Sequence, residues 1–258
     1  MPSGEHALKQ RAVFFDLDET LLDGSSLRES IARTCAAIAE SHPGLDAARL
    51  LDANGEVWRS YWPEVESHWT VGTLDGASVS LEAWRRTLRA CGCGDDSVAR
   101  LALQTHGQYE RESQRLFDDV HDVIETLRGA NVPLALITNG ASDTQRGKLR
   151  VLGIEPWFDA IVISGEVRVA KPDAAVFRLA LDVLGVERDD AWHVGDSLRA
   201  DVAGAKAAGL TAVWLNRRGH ERQASDPEPD HEIRSLAELL ALPGAEVPGL
   251  QTTGRRSR

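Results

Sequence analysis

The sequence predicts an α/β protein: a doubly wound parallel sheet interrupted by an inserted all-helical segment. Short apolar runs rich in β-formers recur along the chain, and stretches with helix start and stop signals separate them. Residues 24–116, by contrast, hold almost no strand signal. Strands alternating with helices of about ten residues imply parallel crossovers, and a strand-free block implies a helical subdomain.

The first apolar run, Ala12-Val13-Phe14-Phe15, ends abruptly in Asp16-Leu17-Asp18-Glu19-Thr20. That is the pattern of a buried parallel strand followed by an acidic turn. Similar runs occupy 133–137, 160–163, 191–194 and 211–215, with a short last strand expected around 231–233, behind the loop Asp226-Pro227-Glu228-Pro229. One helix is expected to open at Ser142, with Gln145 at capping-box spacing, and to stop at Gly153. A second follows Pro172-Asp173 and stops at Gly185, and a third spans 200–208 and stops at Gly209. Ser235 and Glu238 carry the capping signature of a short terminal helix. The expected organisation is therefore a Rossmann-like core from 1–23 and 117–242, and a helical insertion over 24–116. Its clearest helices are 27–40, beginning near Ser26 with Glu29 at capping-box spacing, and 47–62, 81–90 and 97–115. The tail, 243–258, is rich in Gly and Pro and is read as disordered. No internal repeat is visible.

The 258 residues suffice for one large domain or two small ones with a proper core. No apolar run approaches the roughly 18–20 residues that cross a bilayer. The opening MPSGEHALKQR lacks the apolar middle of a secretory signal, so a cytoplasmic location without membrane contact is expected. Cys35, Cys91 and Cys93 fit a reducing compartment and not a disulfide framework. A net charge of −11 argues against nucleic acid as the main partner, but not against an anionic substrate, because a metal site gathers acids locally.

Four segments carry candidate chemistry. Asp16 and Asp18 leave a strand end on the same side, where two carboxylates repel unless a cation or a proton intervenes. Taken alone they are equally a solvated loop with a helix cap. Thr138-Asn139-Gly140 follows the second strand and opens a helix, placing a hydroxyl beside free backbone N–H groups, a natural anion cradle; it is also an ordinary turn. Lys171 stands before Pro172 at another helix start, where a lysine is commonly a surface residue. Asp196 and Asp201, in Gly195-Asp196-Ser197-Leu198-Arg199-Ala200-Asp201, follow the fourth strand and could merely charge the first turn of a helix. All four segments lie at carboxyl ends of strands in one sheet, where ligands bind in open α/β folds. Together they supply what a magnesium ion and a phosphoryl group need.

In order and spacing, Asp16–Thr20, Thr138, Lys171 and Gly195–Asp201 resemble the four motifs of the haloacid dehalogenase-like hydrolases. The likeness covers about residues 11–24 and 117–242, and the insertion resembles the family's helical cap by position and length. The resemblance implies a Mg²⁺-dependent phosphatase acting on a small phosphorylated metabolite. Asp16 would be the nucleophile that forms an aspartyl-phosphate, and Asp18 the acid and then the base. Asp16, the Asp18 backbone carbonyl and Asp196 would hold Mg²⁺. Thr138, the Asn139 backbone and Lys171 would bind phosphate, Lys171 would also act in catalysis by neutralising charge on Asp16, and Asp201 would orient Lys171 or a metal-bound water. A monomer or homodimer is expected.

Three other readings compete. A haloacid dehalogenase needs neither metal nor a second acid, and Asp18 speaks against it because halide leaves without a proton. A phosphoacceptor module would lack the insertion of about ninety residues, and a catalytically silent binding protein would not need the intact set of Asp16, Asp18, Thr138, Lys171 and Asp196. Cys91-Gly92-Cys93 lacks a second pair for zinc and reads as a loop with free thiols. His193 reads as a satisfied core histidine. Trp58, Tyr61, Trp62 and Trp69 read as core more than as a platform for a substrate ring.

Overall fold

Strands β1 (Ala12–Phe15), β2 (Leu134–Thr138), β3 (Ala160–Ile163), β4 (Ala191–Gly195), β5 (Thr211–Leu215) and β6 (His231–Ile233) form one parallel sheet in the order β3-β2-β1-β4-β5-β6. This computed structural model describes residues 12–243, so the tail from 244 onward lies outside the described residues. The fold is the doubly wound α/β architecture that the apolar runs predict. The chain winds outward from β1 through β2 to β3, then returns to the other side of β1 as β4. The strand order therefore reverses between β1 and β4, the position where open α/β sheets bind ligands.

Alternate residues of each strand serve opposite faces. Val13, Phe15, Leu134, Leu136 and Val194 pack with α5 (Val120–Gly129) and the terminal 3₁₀ turn Leu236–Ala241. Phe14, Ala135, Ile137 and Trp214 pack on the other face with α8 (Ala174–Leu184) and α9 (Ala203–Ala208). Fully burying each large apolar side chain is worth ~1.5–3 kcal/mol, so these two layers hold the strand ends in place. The helix α5 was not among the expected helices, although its buried Val120, Val123, Ile124 and Leu127 stand at the i, i+3, i+4, i+7 spacing of a core-facing helix.

Between β1 and β2 the chain forms α1 (Ser26–Ser41), α2 (Ala47–Thr70), α3 (Gly76–Ala90) and α4 (Asp96–Ser113). These helices bury Cys35, Ile38, Leu50, Trp84, Leu88 and Ala102 in a core of their own. The two connections to the sheet run side by side, with Asp23 N donating to Arg115 O and Phe117 N to Leu21 O, both at 3.0 Å. Helix α2 runs on to Thr70, past its expected end at residue 62, and contains Pro63. Pro63 and Arg59 both face solvent, so water can satisfy the Arg59 carbonyl that a proline cannot serve. The extra turns deliver Trp69 to the sheet. Trp58, Trp62 and Trp69 pack against buried Tyr61, Val65, Val79 and Ala83, so the aromatic cluster is largely insert core. The α1 start has no side-chain cap from Ser25, unlike Asp46, Asp75 and Asp95, which cap the next three helices.

The three cysteines are free thiols. Among the described residues, no helix is long and apolar enough to cross a membrane.

Candidate active site

Asp16 follows β1 directly, and its backbone N–H donates 3.0 Å to Val194 O on β4, tying the turn to the neighbouring strand. Its carboxylate is buried with Lys171 Nζ at 2.5 Å from Oδ1, and Thr20 Oγ1 donates to Oδ2 at 3.4 Å. Lys171 is 5% exposed, at the site and not at the surface where a lone lysine is common, and its ammonium also donates to Asp201 Oδ1 at 2.7 Å. Its position is set by a reciprocal pair: Asn139 Nδ2 donates to Lys171 O at 3.0 Å, and Lys171 N donates to Asn139 Oδ1 at 2.9 Å. The Thr138-Asn139 loop and the Lys171 loop are thereby locked together, although 32 residues separate their partners.

Asp201 does not cap a helix. The chain makes one wide π turn over Leu198–Val202, with Ser197 as its cap, before α9 begins. The expected single helix over 200–208 is thus corrected to a π turn and a short α-helix, and such wide turns gather at functional sites. The turn drives Asp201 inward, where Oδ1 accepts from Lys171 and His193 and Oδ2 accepts from Ser197 N at 3.0 Å. A Cβ on Gly195 would fall 2.2 Å from Asp201 Cγ, so only glycine leaves room for that side chain. His193 lies beneath the site, and its Nε2–H donates to Asp201 at 2.8 Å because an ionised carboxylate can only accept. Its Nδ1 is buried without a partner, so this histidine is half-satisfied and not fully satisfied as expected.

The Asp16, Asp196 and Asp201 carboxylate oxygens lie within 4.8 Å of one another. Burial pushes Asp16 up to about 8 against the pull of Lys171, and the carboxylates of Asp201, Asp196 and Asp18 push the same way. Burial and then Asp201 push Asp196 up to about 7. Burial would also raise Asp201, but Lys171 and His193 outweigh it and hold Asp201 well below the usual carboxylate range. Lys171 itself is driven down by burial and up more strongly by Asp16 and Asp201, so it stays charged. With all three ionised, three carboxylates would face one ammonium, a negative excess that disfavours the charged forms of Asp16 and Asp196 and that a hard divalent cation would offset. The donor set fits Mg²⁺, which prefers oxygen.

Asp18 stands apart from that triad. Lys148 Nζ donates to its Oδ1 at 2.7 Å and Gln145 Nε2 to its Oδ2 at 2.9 Å. Burial would raise Asp18, but the Lys148 charge and hydrogen bond, with Gln145, hold it low. Gln145 Nε2 also donates 2.6 Å to Thr138 Oγ1. The expected capping box of α6 (Ser142–Leu152) is corrected accordingly. Gln145 turns to the site, and Ser142 Oγ bonds Glu166 at 2.7 Å. Gln145, Lys148 and His193 are site neighbours that sequence reasoning missed. The available signal was the three-residue spacing of Gln145 and Lys148 on one face of the helix behind Thr138.

The insert reaches this site through its α2–α3 connection. Gly76 N and Ala77 N donate to the two Asp143 oxygens at 2.9 and 3.0 Å, so a core residue caps α3. Arg168 Nη1 donates to Val71 O at 2.9 Å. Trp69 lies against Gly140, whose added Cβ would meet its Cη2 at 2.5 Å.

The family model for haloacid dehalogenase-like hydrolases matches residues 10–209. The chain is 32% identical over 237 residues to N-acylneuraminate-9-phosphatase of Mus musculus, covering 90% of this chain and 93% of that relative. Among solved structures, the HAD-hydrolase YfnB of Bacillus subtilis bound to magnesium superposes with a TM-score of 0.65 at 26% identity, over 90% of this chain and 98% of that one. A 2-haloacid dehalogenase of Pseudomonas syringae pv. Tomato DC3000 superposes at 0.64 and 26% identity, over 90% and 97%. A match of that extent, on a chain with this fold and acidic switch point, makes the protein a member of the haloacid dehalogenase-like hydrolases.

Proposed function

We propose that this hydrolase is a Mg²⁺-dependent phosphomonoesterase that works through an aspartyl-phosphate on Asp16. The observation that carries the reading is the division of the acids: Asp18 is held beside the Thr138 hydroxyl, while Asp16, Asp196 and Asp201 cluster around Lys171. Attack on carbon with loss of halide needs no second acid, whereas an alkoxide leaving group needs a proton.

An Asp16 carboxylate oxygen attacks phosphorus as the bond from phosphorus to the ester oxygen breaks. Asp18, protonated for this step although Lys148 and Gln145 hold it low in the free site, gives its proton to that leaving oxygen, so the alcohol departs neutral. Asp18, now a carboxylate, takes a proton from water as the water oxygen attacks the phosphorus and the bond from phosphorus to the Asp16 oxygen breaks, which releases phosphate and restores the Asp16 carboxylate and the protonated Asp18. Thr138 and the Asn139 backbone hold phosphate oxygens, and Lys171 offsets charge on phosphate and on Asp16. Asp201 keeps Lys171 in place. Asp16 and Asp196, with the Asp18 backbone carbonyl, would hold Mg²⁺, which when bound offsets repulsion between the anionic nucleophile and the phosphate.

A small phosphorylated metabolite is the substrate class, supported by relatives named for N-acylneuraminate 9-phosphate and for pyrimidine 5′-nucleotides. The three free thiols fit a reducing cytoplasm. Purified protein with Mg²⁺ should release phosphate from members of a phosphomonoester panel containing both classes, and Asp16→Asn should abolish it. Metal-free turnover of 2-haloacids with no phosphate release would overturn the reading.

A further inference from the structure

We propose that Gln145 and Lys148 are the positioning residues of Asp18, fixing the proton-transferring carboxyl beside the phosphate cradle. This rests on the phosphatase reading above. Both oxygens of Asp18 are anchored, Oδ1 by Lys148 at 2.7 Å and Oδ2 by Gln145 at 2.9 Å. The same Gln145 nitrogen reaches Thr138 Oγ1 at 2.6 Å, so one amide joins the acid to the cradle hydroxyl. Asp18 is thereby kept on the Thr138 side, outside the cluster of Asp16, Asp196 and Asp201.

The holder is rigid. Gln145 and Lys148 sit one turn apart on α6, which buries Leu149. Arg146, on the same helix, is clamped by Glu166 through Nε at 2.8 Å and Nη2 at 2.9 Å. Gln145 is fully buried and leaves its Oε1 without a protein partner. A bare buried acceptor costs ~1–3 kcal/mol, which an apolar residue of similar volume would avoid. Stability therefore does not account for this glutamine, whereas a need for its N–H groups does. A carboxyl held by two donors has little rotational freedom left to lose when it meets the leaving oxygen.

The test is a series of aryl phosphates of increasing leaving-group basicity, assayed with Mg²⁺ by kcat/KM, which reports only steps up to departure of the phenol. Misplacing the acid should matter only where the leaving group needs a proton. Lys148→Met is expected to lose less than about twofold on 4-nitrophenyl phosphate and about tenfold on phenyl phosphate. Gln145→Met should show the same steepened dependence, and Lys148→Arg should restore most of the wild-type slope. Thermal midpoints identify any variant that fails to fold, in which case Lys148→Gln replaces Lys148→Met. A uniform loss across the series, with raised KM, would place Lys148 on the substrate and overturn the proposal. Wild-type protein inactive on the whole series would instead defeat the phosphatase reading itself.

Discussion

Lys171 and Asp16 meet at 2.5 Å, Nζ to Oδ1, with side chains 2% and 9% exposed. Removing one partner of a buried pair costs ~3–5 kcal/mol because the other charge stays buried. Lys171→Met should lower the urea midpoint accordingly and abolish turnover, since Asp16 and Asp201 both lose their ammonium. Asp16→Asn added to Lys171→Met should recover part of the stability and none of the activity. An unchanged midpoint in Lys171→Met would contradict the pairing.

Mg²⁺ should stabilise the protein even without substrate. Three clustered carboxylates share one ammonium, so a bound cation relieves repulsion present only in the folded state. Free Mg²⁺ at a hundred times its Kd should add about 2.7 kcal/mol. The thermal midpoint should rise with Mg²⁺ in wild type and stay flat in Asp196→Asn.

Asp119 predicts acid sensitivity away from the site. Arg217 forks onto it at 2.9 and 2.8 Å, and Leu236 N donates at 2.7 Å, joining the start of α5 to the β5 exit and the last helical turn. Burial would raise Asp119, but the Arg217 hydrogen bond and charge, with Leu236 N and Ser235, hold it below its ordinary 3.8. Its contribution is present above that value and is lost as pH falls through the lower folded-state value. Asp119→Asn should cost ~1.5–3 kcal/mol near neutrality, the range for hydrogen bonds to charged groups. Near pH 3 the difference from wild type should shrink, as measured by urea unfolding at both pH values.

Asp143 latches the insert. Its carboxylate supplies the cap for the first N–H groups of α3 from across the interface. Asp143→Ala should cost about 1 kcal/mol, the usual worth of such a cap. Amide exchange at Gly76 and Ala77 should quicken while β1 and β2 amides stay protected. Equal acceleration in the strands would point to global loosening instead.

The strands were legible because burial in a parallel sheet demands continuous apolar runs, and those runs end where Asp16, Thr138 and Asp196 begin. Chain order then brings these ends to one switch point. Helix ends were less legible. Spacing at Ser142 and Gln145 is the same for a capping box as for a glutamine turned into the site, and only the neighbour decides between them. Pro63 hid the last turns of α2 because its cost depends on whether Arg59 faces water. By itself, then, the sequence determined the parallel sheet, the helical insertion and the acids at the strand ends, all consequences of local period and polarity. The tertiary structure alone decided that Lys148 and Gln145 meet Asp18, across 130 and 127 residues; the meeting of Lys171 with Asp16 across 155 was implied by the family resemblance and by no local pattern. Such partners are chosen by packing and desolvation in the assembled core, and no local pattern records them.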